Sequence, residues 1–238
     1  MPVLPFRTMA AFAMLAPMQK RVVIFGAGDF ARVARFYLQH DSTREVAAFA
    51  VHEELITSGE LLGLPVVAWE SLQETHPPSE YDMLIGIGYS KVNKNRAAVA
   101  DAARRAGYEM ITYVCSKATT WPDLTVGPGS FIFENNVIQP FVKIGANAVL
   151  WSGNHIGHDS TVGDNVFITS HVVISGNCRI GENVFIGVNA TLRDGITVGR
   201  DCVIGAGTVL LRDAEPGSVF KATTTPAAPI TSDALRRI

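Results

Sequence analysis

The second half of the chain is written in a six-residue hydrophobic register. From Val126 the positions run Ile132, Ile138, Ile144, Leu150, Ile156, Val162, Ile168, Ile174, Ile180, Ile186, Leu192, Val198, Ile204 and Leu210, and all fifteen are Val, Ile or Leu. Were such residues about a quarter of an ordinary chain, chance would give the run with a probability on the order of one in a billion. A period of six scatters side chains around a 3.6-residue helix, so no helical reading survives. It fits a parallel coil whose short flat faces each present one inward aliphatic residue before a turn. Eight of the fifteen are followed directly by glycine (Gly127, Gly145, Gly157, Gly163, Gly181, Gly187, Gly199, Gly205), which is expected to supply permissive turn backbone. Four residues after the aliphatic stand mostly small or β-branched side chains: Ser130, Ala148, Ser160, Cys178, Ala190, Cys202 and Thr208. These are expected to share a narrow interior, with Cys178 and Cys202 as core packing.

The first half carries a different rhythm. An apolar strand, Arg21 to Phe25, runs into Gly26-Ala-Gly-Asp-Phe-Ala31 and a helical segment through Leu38. The glycines match G-x-G-x-x-G/A, in which the backbone approaches a phosphate at a helix N-terminus. A second strand, Glu45 to Val51, ends in His52-Glu53-Glu54, where a ribose-binding acid stands in dinucleotide folds. A third, Met83 to Ile87, leads to Gly88-Tyr-Ser90 and a basic helix with Lys91, Lys94 and Arg96; a fourth covers Tyr108 to Val114. At about 100 residues this is half of a complete doubly wound dinucleotide fold, so a mononucleotide or nucleotide-sugar fits better than NAD. Gly26, Gly28, Asp29, His52, Glu53, Gly88 and Tyr89 are the substrate-binding candidates here.

Composition narrows the partners. Hydrophobic residues make up 47% of 238, enough to bury substantial cores. Lys plus Arg number 20 against 22 Asp plus Glu, which leaves no basic surplus for nucleic acid or an anionic membrane. Three cysteines without close spacing, Cys115, Cys178 and Cys202, form neither a disulfide framework nor a zinc motif, so a reducing cytoplasm is expected. The apolar run Met9 to Pro17 after Arg7 imitates a signal peptide but is far shorter than the roughly 20 residues that span a bilayer. Residues 1–19 are read as a disordered extension, with Met14 or Met18 as alternative starts. The expected organisation is then a Rossmann-like nucleotide- or sugar-binding domain over 20–114, a coil domain over 115–219 and a tail over 220–238.

The hexapeptide register resembles the bacterial hexapeptide transferases. With the Rossmann-like first half it is similar, from about Arg21 to Val219, to the sialic-acid O-acetyltransferase and UDP-4-amino-sugar N-acetyltransferase family. That resemblance implies an α/β Rossmann-like domain followed by a left-handed parallel β-helix of eighteen residues per coil, about five coils in all, assembled as a homotrimer. It implies a sugar or nucleotide-sugar acceptor held against the N-terminal domain and acetyl-CoA, or another acyl-CoA, lying between neighbouring subunits. The activity implied is acyl-CoA-dependent N- or O-acylation in bacterial surface-glycan synthesis, with no metal.

The family's histidine-acid pair stands here as His158-Asp159-Ser-Thr-Val-Gly-Asp164, which implies His158 as general base and Asp159 as its orienting acid. Imidazole suits a base working near neutral pH. Two residues past Ile156, His158 falls on a corner. His171 follows His155 by sixteen residues, two short of a coil, so His155, His158 and His171 are expected to converge, with strand layers about 4.8 Å apart. His155 is assigned to substrate and His171 to the donor. A backbone N–H at Gly176, one coil beneath His158, is the candidate oxyanion donor. By family analogy Gly187, Asn189, Gly205 and Ala206 border pantetheine and ADP. Two rival readings follow from the same residues: a γ-class carbonic anhydrase binding zinc through the three histidines, against which the spacing and the attached N-terminal domain argue, and a non-catalytic scaffold, against which the intact pair argues.

Overall fold

The structure, a computed structural model, describes residues 19–234; the extension and start-site readings for residues 1–18 lie outside it. Strand β1 (Arg21–Phe25) is buried from Val22 onward and leads to helix α1 (Asp29–Asp41), then β2 (Val46–Val51), β3 (Glu60–Leu61), β4 (Leu64–Ala68), a single helical turn α2 (Leu72–Thr75), β5 (Tyr81–Ile85) and α3 (Lys94–Arg105). The sheet order is β3-β4-β2-β1-β5, parallel except for β3. The chain steps outward from β1 through β2 to β4 and then returns to the other side of β1. The strand order therefore reverses between β1 and β5, and in open α/β sheets ligands bind outside the strand C-termini at such a point.

Three sequence expectations shift. The third strand ends at Ile85, and Gly86 beyond it packs its backbone so tightly that a Cβ there would lie 2.7–3.0 Å from Ile24 and Ala31. Lys91 precedes α3, which begins at Lys94. Of Tyr108 to Val114, only Tyr113–Val114 is a strand, and it pairs with Phe131–Ile132 of the coil; the N-terminal sheet keeps a single bridge, Met83 to Met110.

The coil has three flat faces. The first is built from Phe131–Ile132, Val149–Leu150, Phe167–Ile168, Phe185–Ile186 and Val203–Ile204; the second from Val137–Ile138, His155–Ile156, Val173–Ile174, Thr191–Leu192 and Val209–Leu210. The third holds Thr125–Val126, Lys143–Ile144, Thr161–Val162, Arg179–Ile180 and Thr197–Val198. Among these strands every pairing is parallel with partners eighteen residues apart, the left-handed β-helix the resemblance implies, and Val219–Phe220 closes the first face at a spacing of sixteen. The second residue of each strand points inward, and fourteen of the fifteen register residues lie in one core with Cys178 and Cys202, the half-buried Val126 packing against it. Burying each such side chain stabilises the coil by about 1.5–3 kcal/mol relative to exposure. Burial pushes both thiols to higher pKa, consistent with packing.

The first, outward residue of each strand decides what a face meets. On the first face it is Phe131, Val149, Phe167, Phe185 or Val203, and α1 packs on the upper ones: Phe30 meets Phe131 edge-on at 5.9 Å and Tyr37 meets Phe133 at 4.9 Å. On the third it is Thr125, Lys143, Thr161, Arg179 or Thr197, suited to water. On the second it is Val137, His155, Val173, Thr191 or Val209, and the three valines are exposed in the single chain.

At the corner between third and first faces, α3 locks the two halves together. Arg96, fully buried, donates to the carbonyls of Asn147, Asn165 (2.7 Å) and Val166 (3.3 Å), and Asn93 Nδ2 donates to those of Asn183 and Val184 at 3.0 and 3.1 Å. No carboxylate faces the guanidinium, and desolvation pushes its pKa down to about 9.

The turn glycines do a different job from the one expected. None of the eight has positive φ. A Cβ on each would instead meet an atom of the following coil at 2.4–2.9 Å, so they permit the coils to stack. The left-handed residue stands two places later: Gly129, Asn135, Phe141, Asn147, Gly153, Asp159, Asn165, His171, Asn177, Asn183, Asn189, Gly195, Asp201 and Gly207 all have φ between 54° and 80°. Glycine, Asn and Asp tolerate that region. We expect Gly181→Ala, whose Cβ would lie 2.6 Å from Arg200 N, to cost about 1–3 kcal/mol or more in denaturant unfolding. Asn177→Gly, at an exposed left-handed position, should stay within about 0.5 kcal/mol.

Candidate active site

His158 stands at the corner between second and third faces. The turn reverses at Asp159, whose φ of +58° brings its carboxylate back beside the imidazole: Nδ1 lies 2.8 Å from Asp159 Oδ2. A carboxylate only accepts, so Nδ1 carries the proton and Nε2 keeps its lone pair. The backbone is fixed from both sides, His158 N donating to Gln139 Oε1 at 2.9 Å and Asn177 N donating to His158 O at 2.8 Å. The ring lies over Gly176, where a Cβ would stand 2.7 Å from Nε2 and 3.0 Å from Asp194 Oδ1. The pair is exposed, and Nε2 is open to a reacting group.

The three histidines do not converge within one chain. His155 is the outward residue in the middle of the second face, and His171 precedes that face's next strand, which puts it on the corner between first and second faces, opposite His158. Sixteen residues bring His171 near the height of His155, but the whole second face separates its corner from that of His158. His171 Nδ1 would lie 2.5 Å from a Cβ on Gly153, so its ring too rests on a glycine of the adjacent coil. Gly187, Asn189, Gly205 and Ala206 belong to the same corner as His171, whereas Gly176 belongs to that of His158. Gly187 and Gly205 are also needed for stacking. Among the described residues no group of three His, Cys, Asp or Glu could hold a metal ion.

A cavity of about 590 Å³ opens where the β1/β5 reversal faces the first corner of the coil. Gly28, Asp29, Gly88 and Tyr89 line it on one side, with Phe30, Gly86 and Ile87; Trp151, Phe167, Thr169, Ser170 and Val188 line the other. Gly28 caps α1 with no side chain and has nothing within 4 Å of its Cβ position, so the N-terminus of a thirteen-residue helix faces this space uncapped. Gly26 does not border the cavity. With φ +123° and its Cβ position 2.6 Å from Gly86 O, it makes the turn that sets β1 against β5. His52 and Glu53 also fall outside the lining, tied to Glu70: His52 Nδ1 lies 2.7 Å from Oε1, and Glu53 N donates to Oε2 at 3.0 Å.

Sequence reasoning missed the coil's wall of the cavity. Trp151 stacks flat on Phe133 at 4.5 Å, and Tyr89 packs on Phe167 and Phe185 at 5.1 and 4.7 Å. It also missed Asp194, which an eighteen-residue column through Gly176 would have found, and Gln139, which stands one place off that column. The loop beyond Tyr89 is held under strain, with Lys91, Val92 and Asn93 at φ 51°, 52° and 63°; a left-handed non-glycine residue costs about 1–2 kcal/mol.

With this geometry in view, comparison with known proteins is decisive. Residues 144–176 match the family model for the bacterial transferase hexapeptide (six repeats), and residues 178–212 that for the hexapeptide repeat of succinyl-transferase. PerB from Caulobacter crescentus, solved with CoA and GDP-perosamine, superposes with a TM-score of 0.77 at 26% identity over 85% of this chain and 94% of that one. Residues 144–212 are thus built from the hexapeptide repeat of bacterial transferases. Two further structures share the fold. The acetyltransferase domain of PglB from Neisseria gonorrhoeae aligns with a TM-score of 0.76 at 24% identity, covering 86% and 97% of the two chains. WeeI from Acinetobacter baumannii aligns with a TM-score of 0.73 at 18% identity, covering 84% and 96%. Curated protein sequences give no match. Among the described residues no helix is long and apolar enough to cross a membrane.

We expect Gly176→Ala to push the imidazole off its seat and break the bond to Asp159. Imidazole ¹⁵N shifts check this: the wild type should show one tautomer with the proton on Nδ1, and the variant a mixture.

Proposed function

We propose that this protein transfers an acyl group, acetyl in the first instance, from acyl-CoA to an amine or hydroxyl of a nucleotide-linked sugar, with His158 as base. The acceptor occupies the 590 Å³ cavity, its phosphates towards the uncapped start of α1 at Gly28 and Asp29, its sugar towards Trp151 and Ser170. His158 Nε2 takes the proton from the attacking heteroatom as that atom bonds to the thioester carbonyl carbon, and Asp159 steadies the imidazolium formed. A backbone N–H at Gly176 is the proposed donor to the oxyanion. The tetrahedral intermediate then collapses, the carbon–sulfur bond breaks, and CoA leaves as thiolate. Acetyl-CoA bound to the PglB domain, and CoA with GDP-perosamine bound to PerB, support both co-substrates.

One observation carries the assembly. The cavity lies on the first face and its corner with the second, whereas His158 lies on the one corner that does not touch the first face. A single chain thus separates acceptor from base. The exposed valines of the second face supply an apolar surface between those two corners. A three-fold assembly built on it is heterologous, so one end of the face on one protomer meets the other end on its neighbour. This brings His158 of one subunit to the cavity of the next, with the donor along His171, Gly187, Asn189, Gly205 and Ala206 between them. His155 then belongs to the contact between subunits. His52 and Glu53 are left with at most a role at the nucleotide's far end.

The test is a thermal-shift panel of nucleotide sugars with CoA present, GDP-perosamine included, followed by turnover of whichever stabilises the fold; a ligand at 100 times Kd adds about 2.7 kcal/mol. His158→Ala should then lower kcat by about 10²–10⁴-fold without lowering Tm. Asp159→Asn, whose residue still tolerates the left-handed turn, should fall between. Near wild-type turnover by His158→Ala would end this reading.

A further inference from the structure

Phe141 breaks the rule of the corners. Of the positions that take the left-handed conformation third after an inward aliphatic, it alone is a bulky apolar residue, with φ +66°. For a bulky side chain that is a genuine outlier, and such strain persists where surrounding structure enforces it. Here it is enforced: Phe141 N donates to Asp123 Oδ2 from the coil above. The conformation yields no burial within the chain, since Phe141 is 65% exposed. It also sits on the corner of His158, eighteen residues before Asp159 and so directly above it in the same column.

Resting on the shared-site reading above, we propose that Phe141 is a specificity-determining residue for the acceptor, reaching from the His158 corner into the neighbouring subunit's cavity beside Trp151. Height along the coil supports this. Rotation about an axis parallel to the coil preserves height, and Phe141 and Asp159 stand ten residues before and eight after Trp151, each about half of a 4.8 Å coil step away, roughly 2–3 Å. Phe141 therefore faces Trp151 from across the interface on one side of the acceptor, with the base on the other. The cavity is built to receive an aromatic ring, its wall being Phe30, Ile87, Tyr89, Trp151, Phe167 and Val188.

The strain makes the test discriminating. Phe141→Asn relieves the left-handed penalty, so the variant should melt about 2–4 °C higher than wild type, the shift that a gain of that size gives a chain of this length. It should nonetheless raise KM for GDP-perosamine, or for the acceptor the panel selects, by tenfold or more, with CoA affinity within twofold and the trimer mass unchanged by light scattering. Phe141→Tyr, which keeps the ring, should return KM to near the wild-type value. An unchanged KM in Phe141→Asn overturns the proposal. So does loss of the trimer or a parallel fall in CoA affinity, either of which would make the ring interface packing. A wild-type protein that turns over no nucleotide sugar fails earlier and sinks the shared-site reading itself.

Discussion

Each coil contributes three register aliphatic side chains to a shared interior, and successive coils approach so closely that a Cβ on the glycine after the aliphatic would overlap the next turn of backbone. That close stacking, repeated at eighteen residues from Thr125 to Leu210, sorts the side chains into a few columns. A residue's function then depends on its column. The column of His158, Gly176 and Asp194 seats the imidazole; the first face carries aromatic side chains for the N-terminal domain; the third corner offers backbone carbonyls to Arg96 and Asn93.

The buried Arg96 shows how two different architectures come to act as one. A guanidinium without a counter-ion is costly to bury, yet its planar fork spans carbonyls of adjacent coils, which a fold with free carbonyls only at its corners presents in a row. Through Asn93 the same helix holds the strained Lys91–Asn93 loop and hence Tyr89 against Phe167. The depth of the cavity thus depends on backbone contacts of the coil far from the chemistry.

Much of this was legible in the chain. The aliphatic register gave the coil and the burial of Cys178 and Cys202, because a period of six admits no helix; the eighteen-residue coil, its hand and its five turns came from the family resemblance. The strand-glycine-helix start was equally plain. Other features were hidden for physical reasons. Glu60–Leu61 and Leu64–Ala68 are too short, and too interrupted by Gly63 and Pro65, to stand out from a loop. The run Tyr108 to Val114 has the composition of a strand, but most of it serves as the passage between sheets. The turn glycines were assigned to conformation when contact is their reason, and the residue two places on, which does adopt positive φ, went unread although Asn, Asp and Gly dominate it. The sixteen residues between His155 and His171 suggest convergence, but a spacing near one coil does not say that a residue in mid-face and one at a corner share a side. The aromatic wall of the cavity required the fold.

The central claim is that base and acceptor cavity belong to different subunits. It is tested most directly by mixing two inactive variants, His158→Ala and Gly88→Phe. The second fills the cavity from a position with nothing within 4 Å of its Cβ site, so it blocks binding without disturbing the fold. Unfolded together and reassembled in equal amounts, the two should regain activity, because by random assortment about a quarter of the interfaces pair an open cavity with an intact histidine across the heterologous contact. A mixture as inactive as either parent, with mixed trimers demonstrated by mass, would contradict the account.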